Sequence, residues 1–320
     1  MLDVPAGDPY PAHEVGGLIS ACRDTLRTLE IKSLIRTEYL PTIASLQQLR
    51  FLKLEKAHFP CDLPPNTLPS LEEVTILRFY GPRLQYFFKS IRTNDLKVVK
   101  IYGIDTIAFK KTITAISRFS GSLTVVEISA VENLDLPSVV TPRLLFANLR
   151  TLYVGCLRWD VGLRRGPCAF RPTDQAIADL GAVIPNIARL TLGTLSCNTL
   201  PCATFLSLVS LSRTCQDLET LEIKVDFQTM ITPSLDVNWD TETGANFDVT
   251  QGSACKLRSL VVGFSTLPDH PESGWIVAVG LAKIFPSLSD TFGIGLDRNK
   301  WEKVGRNIGM LRRVLCTVQQ

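Results

Sequence analysis

The sequence predicts an α/β solenoid, in which short parallel strands stack along one face and helices return the chain along the other. Three observations support this prediction. A six-residue apolar motif recurs along the chain, its copies begin 22 to 39 residues apart, and apolar residues (45%) outnumber charged ones (20%). The length agrees, because 320 residues exceed the size at which one compact core stops growing, so an elongated repeat or two domains are expected.

The motif is an apolar residue, two variable residues, a second apolar residue, one variable residue and a third apolar residue. Its nine copies begin at Leu26, Leu49, Leu71, Leu96, Leu123, Leu149, Ile187, Leu218 and Leu257. A tenth, degenerate copy around Leu288 (SLSDTFGI) marks the predicted C-terminal cap. The successive intervals are 23, 22, 25, 27, 26, 38, 31, 39 and 31 residues. The first five agree with a leucine-rich repeat of about 20–29 residues, and the longer ones leave room for a full helix or an insertion.

The spacing within the motif predicts which side chains are buried. The second and third apolar residues are separated by one residue, so both point to the same face of a short strand, the interior of the solenoid. The alternate residues point to the opposite, open face, where aromatic and arginine side chains are typical anchors of protein interfaces. We therefore predict a protein-binding strip made of Phe51, Lys53, Glu73, Lys100, Tyr102, Glu127, Tyr153, Arg189, Glu222 and Lys224.

Helices are predicted in the longer return segments. They are Asp105 to Phe119, a helix opened by Pro172-Thr173-Asp174 and ended by Pro185, a helix starting at Pro201, and Ser273 to Phe285. Their apolar residues recur at helical spacing. Proline lies just inside a start or just past an end, where its missing N–H does least harm.

The exposed apolar ends of a solenoid need caps. Residues 1–24 are expected to contain an N-terminal capping helix with Val15, Leu18, Ile19 and Cys22 on its apolar side. Residues 296–320 are expected to form the C-terminal capping helix, with an apolar stripe of Trp301, Val304, Ile308, Leu311 and Leu315 and with Lys303, Arg306, Arg312 and Arg313 facing solvent. Residues 1–320 would then form a single domain of about nine to ten repeats.

Two loops interrupt the repeat. Residues 155–171 contain Trp159 together with Arg158, Arg164, Arg165 and Arg171. Residues 232–255 are polar and show neither the helical nor the strand periodicity of apolar residues. Insertions in solenoids are often on a binding face. The Arg158–Arg171 loop also suggests nucleic-acid binding as an alternative, since guanidinium and indole together hold phosphate and base. A formal charge of +3 makes this alternative less favourable than protein binding.

The sequence offers no motif for catalysis or for a cofactor. It has no phosphate-binding G-x-x-x-x-G-K-[ST] loop, no G-x-S-x-G elbow and no H-E-x-x-H pair. The nine cysteines form no C-x-x-C pair, and the three histidines lie far from any clustered cysteines. The cysteines are therefore interpreted as small buried residues of a reducing compartment and not as metal ligands. The N-terminus lacks a secretory signal, and no apolar stretch is long enough to span a membrane. We expect a cytoplasmic or nuclear protein that is not an enzyme and needs no cofactor.

The repeat resembles the ribonuclease-inhibitor-like leucine-rich repeats, and more specifically the C-terminal region of fungal F-box-like proteins. The resemblance rests on NLRTLYV, DLETLEI and KLRSLVV, on helices that end in FPSL (Phe285 to Leu288), and on the closing segment WEKV (Trp301 to Val304). It covers nearly the whole chain and implies a horseshoe with parallel strands on the concave face and helices on the convex face.

In that family an N-terminal F-box binds the adaptor of an SCF-type ubiquitin ligase and the repeats select a substrate. Here the first repeat strand begins near Leu26, which leaves no room for an F-box ahead of it. The resemblance therefore implies a substrate-type protein partner, and an adaptor as partner only if an F-box lies upstream. The alternative from another class is a structural or decayed repeat protein without a dedicated ligand.

Overall fold

The computed structural model describes residues 1–4, 12–34, 39–56, 63–78, 83–130, 146–156, 170–193, 201–228, 254–263, 265, 267, 270, 272–293 and 297–318. The chain divides into two compact units. The first comprises Met1–Leu134 and Arg143–Gly166, and the second comprises Asp135–Pro142 and Pro167–Gln320.

The first unit is built on a parallel sheet. Its strands are β1 (Leu2–Val4), β2 (Thr28–Leu34), β3 (Phe51–Lys56), β4 (Glu73–Leu77), β5 (Val98–Ile104), β6 (Val125–Ala130) and β7 (Thr151–Cys156). Within this unit, each strand pairs in parallel with the next one along the chain. The described helices are α1 (Ala12–Ala21), α2 (Leu40–Ala44), α3 (Leu84–Ser90) and α4 (Thr106–Ile116), and a 3₁₀ turn, Ser117–Phe119, continues α4.

The register of these strands aligns the motif residues in columns. The second apolar position forms the column Leu29, Leu52, Val74, Val99, Val126 and Leu152, and the third forms Ile31, Leu54, Ile76, Ile101, Ile128 and Val154. All twelve side chains are buried, as are Leu84, Phe87 and Phe88 of α3. The predicted interior positions are therefore confirmed in this unit.

The second unit repeats the arrangement with longer helices. Its strands are β8 (Arg189–Leu192), β9 (Thr220–Ile223), β10 (Ser259–Gly263) and β11 (Asp290–Gly293), and its helices are α5 (Asp174–Val183), α6 (Phe205–Thr214), α7 (Ser273–Ile284) and α8 (Arg298–Val318). The four strands are parallel and adjacent in chain order. The degenerate tenth copy of the motif thus forms a strand, β11.

Each unit is an α/β structure with an open parallel sheet whose strands follow the order of the chain. This confirms the predicted α/β class and the parallel strands, and it is consistent with a solenoid. Strand β1 and the short helices α2 and α3 were not predicted, because three to seven residues carry too little periodicity. In α1 the predicted apolar side is wrong at Leu18, which is exposed, whereas Ile19 is buried.

Helix α6 starts later than the proline signal predicted, and Asp174 explains why. Thr204 is the N-cap of α6, and its Oγ1 accepts a hydrogen bond from Leu206 N at 3.2 Å. The backbone N–H and the hydroxyl of Thr204 both donate to the Asp174 carboxylate at 2.7 Å. The hydroxyl of Ser207 also donates to Asp174 Oδ1. Asp174 lies in the first turn of α5. A carboxylate at the start of α5 therefore fixes the start of α6, and Pro201 lies before the cap.

The C-terminal helix packs against the last strand through Trp301. The indole is fully buried, its Nε1 donates to Ser265 O at 3.0 Å, and its ring meets Phe227 edge to face at 5.0 Å between centroids. A Cβ built on Gly293 of β11 would lie well inside van der Waals contact of the Trp301 side chain. Val304 and Ile308 continue the buried stripe, while Lys303, Arg306, Arg312 and Arg313 are exposed, as predicted.

Truncation of a column residue tests the core of the first unit. Leu152 is 6% exposed, so Leu152→Ala is expected to lower the free energy of unfolding by about 2–5 kcal/mol, the usual range for a buried leucine. The measurement is urea denaturation followed by circular dichroism. The neighbouring half-exposed Thr151 provides the control, since Thr151→Ala is expected to change stability by only about 0.5 kcal/mol. A loss well below about 1 kcal/mol for Leu152→Ala would place this residue outside the core.

Gly293 tests the docking of the C-terminal helix. Gly293→Ala is expected to lower the free energy of unfolding by about 1–3 kcal/mol, because the added methyl group must displace the Trp301 indole. The control is Gly309→Ala in α8, where a built Cβ meets nothing within 4 Å and alanine favours the helix by up to about 1 kcal/mol. Equal stability of the Gly293→Ala variant and the parent chain in urea denaturation would show that the indole does not pack on this glycine.

Candidate functional site

The face of each sheet opposite the buried columns is the candidate site. Along each strand of the first unit, buried motif residues alternate with half-exposed ones, as in Glu73–Leu77 and Val98–Ile104. In most proteins, both faces of a parallel sheet are covered by other parts of the chain, usually helices. A parallel sheet with one half-exposed face therefore presents a surface on which another molecule can lie.

The strand register brings four predicted residues of the first unit into one row. Lys53, Lys100, Glu127 and Tyr153 occupy the central open-face position of their strands, and Thr75 fills the same position of β4. Neighbouring members of the row are therefore about 4.8 Å apart, the spacing between strands. The sequence prediction missed Glu30, which is the member of this row in β2. Its position could have been read from the motif, because it lies between Leu29 and Ile31.

The other predicted residues of the first unit lie on either side of this row. Phe51 and Glu73 are register partners at the start of β3 and β4, and Phe51 is 42% exposed. Tyr102 lies near the end of β5 and is paired in register with Ser129. All seven predicted residues of this unit thus share one face.

Most charges on this face are paired with each other. Lys53 Nζ donates to Glu30 Oε1 at 2.6 Å. Lys100 Nζ lies 3.9 Å from a carboxylate oxygen on each side, that of Glu73 and that of Glu127. The alternation of acidic and basic residues along the face makes it locally close to neutral.

Tyr102 and Glu127 form the most closely joined polar pair of the first unit. The Tyr102 hydroxyl donates a hydrogen bond to Glu127 Oε2. Burial raises the pKa of the Tyr102 phenol well above its usual value, and the hydrogen bond to Glu127 and the negative charge of Glu127 raise it further. The phenol therefore stays protonated and holds the carboxylate in place. This pair is therefore a fixed polar feature on the face.

The second unit places Arg189, Glu222 and Lys224 on its open face. The central row there is Thr191, Glu222, Val261 and Phe292. Arg189 is exposed and lies two residues before Thr191 in the same strand, beside Thr220. Phe292 is 55% exposed and was not predicted. The degenerate motif around Leu288 concealed it, because the alignment of that copy with the others was uncertain from sequence alone.

Glu222 differs from Glu30, Glu73 and Glu127 on the open face of the first unit, because it has no counter-charge among the described residues. It forms no hydrogen bond or ion pair with any residue that the structure describes. Burial alone raises the pKa of its carboxyl group. Burial also lowers the pKa of the Lys224 ammonium group, and the positive charge of Arg171 lowers it further. Both groups are thus held in surroundings that disfavour their charged forms.

The predicted insertion loops contribute little to the described structure. Of the arginines in the 155–171 loop only Arg171 lies in the described part, and Trp159, Arg158, Arg164 and Arg165 lie outside it. From the 232–255 loop only its last two residues are described. The prediction that these loops bind a partner therefore concerns residues outside the described ranges.

Two of the described cysteines are buried, as expected for small core residues. Cys215 and Cys255 are buried, and burial raises the pKa of the Cys215 thiol to about 11 and also raises that of Cys255. Thiols with raised pKa values are poor nucleophiles at neutral pH. The same expectation is wrong for Cys202, which is exposed, and Cys22 is half-buried.

The geometry defines an α/β repeat protein with a half-exposed face on the parallel sheet of each unit. Neither a scan against models of protein families nor a search of curated proteins found a match to this chain. No helix among the described residues has the length and apolar character needed to cross a membrane.

A comparison of Glu222 with Glu30 tests the difference between the two faces. Because burial raises the pKa of Glu222, its ionised form costs stability in the folded chain, and this cost disappears as the pH falls through that pKa. The Glu222→Gln variant should therefore unfold at a higher urea concentration than the parent chain at pH 7. The difference between the two urea midpoints should become smaller as the pH is lowered.

Glu30→Gln is the matched control, since Glu30 has the same place in its strand but pairs with Lys53. It is expected to lower stability at pH 7, by up to about 1 kcal/mol for a partly exposed pair. A Glu222→Gln variant that is less stable than the parent chain at pH 7 would mean that the carboxylate has a stabilising partner.

Proposed function

We propose that this chain is a leucine-rich-repeat horseshoe that binds a protein partner on the open face of its sheet. The observation that carries the proposal is the half-exposed face of a parallel sheet, lined with aromatic side chains such as Phe51, Tyr102 and Tyr153 among paired charges. Solenoids use such extended faces for binding. Aromatic residues in these positions offer large contact areas at low entropic cost.

The proposed class of function is a protein-interaction scaffold similar to the substrate-recognition region of an SCF-type F-box protein. The repeat phrases NLRTLYV, DLETLEI and KLRSLVV support this assignment. Under this proposal the repeats contact the substrate and the chain performs no chemistry of its own. The proposed location is the cytoplasm or the nucleus, where such ligases work.

The polar groups on the face are suited to selective binding and less to strong attraction. A partner that covers Lys100 must accommodate the carboxylates of Glu73 and Glu127 on either side of it. A segment of the wrong charge pattern would leave one of these groups buried and unpaired, which costs more than a correct contact gains. Phe51, at the edge of this charged group, offers the exposed apolar contact.

Affinity purification with matched variants tests the proposal. The tagged 320-residue chain is used to recover partners from cell extract, and each recurring protein is quantified by mass spectrometry. The strip variant Phe51→Ala/Arg189→Ala is expected to reduce recovery about tenfold, as for the loss of interface anchors. The control Leu206→Ala/Arg306→Ala removes one exposed apolar residue and one exposed arginine from helices and is expected to leave recovery unchanged.

Other outcomes would replace the proposal. Equal recovery by the strip variant and the parent chain would indicate that the partner binds at the 155–171 or 232–255 loop and not at the strip. Recovery of no specific protein would favour a structural repeat protein without a dedicated ligand. Recovery of a ubiquitin-ligase adaptor together with several other proteins would support the ligase function.

A further inference from the structure

The helices α3 and α4 of the first unit carry a concentration of positive charge. Residues 83–120 contain eight lysines and arginines, two aspartates and no glutamate, although the whole chain has a net charge of only +3. Two of the eight are paired at the sheet, Lys97 with Glu72 at 3.2 Å and Lys100 with Glu73 and Glu127. The remaining charge lies on and around the helices.

Four of these cations form what we call the basic helix face: Lys89 of α3, Lys110 and Lys111 of α4, and Arg118 of the 3₁₀ turn. All four side chains are exposed, and none forms an ion pair with a residue that the structure describes. Arg92 adds a fifth exposed cation two residues after α3.

The two aspartates of this segment do not neutralise the basic helix face. Asp105 is the N-cap of α4, where its Oδ1 accepts a hydrogen bond from Ala108 N at 2.7 Å. Asp95 lies in the turn before β5, and neither carboxylate forms an ion pair with a described residue. The positive charge is therefore available to an external partner.

The four cations are held close together by the packing of the helices. Helices α3 and α4 lie side by side, and Arg118 Nη1 donates to Lys89 O at 2.8 Å, which fixes the end of one helix against the other. Along α4, Lys110 and Arg118 are separated by about 12 Å, at 1.5 Å per residue. An extended peptide of about eight residues spans about 27 Å and could therefore contact all four cations at once.

We propose that the basic helix face binds an acidic segment of a partner protein. The surface consists of exposed point charges on rigid helices, which complement a run of Asp and Glu side chains. It lies on the helices and not on the open face of the sheet, so it goes beyond the function proposed above. A variant that removes binding at the basic helix face therefore leaves binding at the open face of the sheet to be tested separately, and the reverse also holds.

The same observations argue against the two other negatively charged partners that a basic surface could bind, an anionic membrane and a nucleic acid. A membrane surface would require exposed apolar anchors beside the cations. Among the described side chains of these two helices, the large apolar one that is exposed is Tyr86, at 38%, and Lys89 Nζ lies 5.5 Å from the centre of its ring. Nucleic-acid binding usually accompanies a strongly basic domain and, for single strands, several stacking aromatic side chains. The chain has a sequence pI of about 8.3.

The experiment measures binding of a fluorescent octaglutamate peptide to the full chain by fluorescence polarisation at two salt concentrations. The test variant is Lys110→Gln/Lys111→Gln. The control variant is Lys303→Gln/Arg306→Gln, which also removes two exposed helical cations, from α8. Both variants have the same net charge, and circular dichroism checks that both are folded. A thymidine oligonucleotide and vesicles containing phosphatidylserine are measured in parallel.

The test variant is expected to bind the peptide about threefold to tenfold more weakly than the parent chain, for two exposed charge contacts. The control is expected to bind as the parent chain does, and added salt is expected to weaken binding. Equal losses in both variants would mean that only net charge matters and would overturn the proposal. So would an absence of peptide binding, or tighter binding of the oligonucleotide or the vesicles than of the peptide. Recovery of partners in the affinity purification depends on Phe51 and Arg189, so failure here is distinguishable from failure there.

Discussion

Parallel pairing of strands in chain order is the constraint on which the rest of the structure depends. This register places Val99 between Val74 and Val126, and it repeats from strand to strand, so the motif residues form continuous buried columns. Because side chains alternate along a strand, the same register aligns the variable residues in rows on the other face. A slip of one residue would exchange the two faces, so the core and the open face are fixed together.

The inner face of the last strand of the second unit, β11, is covered by the C-terminal helix α8. In β11, Thr291 lies beside the buried Leu260 of β10, and after a register shift Gly293 lies beside Gly263. The missing side-chain volume at Gly293 is supplied from α8 by Trp301, and a Cβ built on Gly305 of α8 would lie 2.9 Å from Thr291 Oγ1. The degenerate copy of the motif is thus the docking site of the capping helix. Small residues are required there because a helix approaches closely.

These features separate what the sequence can predict from what it cannot. The strands, their inner and outer residues and the longer helices follow from periodicity, which is local information. Trp301 of α8 packs on Gly293 of β11. Hydrophobic periodicity within a helix or a strand does not predict a contact between two such elements. The same is true of Asp174, whose carboxylate sets the start of α6 from a position thirty residues earlier. Within each unit, the residues of the predicted strip share one face of the sheet, as their alternation along the strands predicts. Their ion pairs depend in addition on the register between strands and on side-chain conformation.

The two faces of the first unit differ in how their charges can act on a partner. On the sheet, Lys53 is neutralised by Glu30, and Lys100 lies between two carboxylates. Such pairs cancel at a distance, so they cannot attract a partner over more than about a Debye length, close to 8 Å at physiological salt. They act only at contact, where they penalise a partner whose charges do not match. On the helices, Lys110 and Lys111 are exposed and form no ion pair with any residue that the structure describes. Attraction over a distance and selection at contact are therefore properties of different faces. The strand register pairs charges on one face, whereas the cations of α3 and α4 have no ion-pair partner among the described residues on the other.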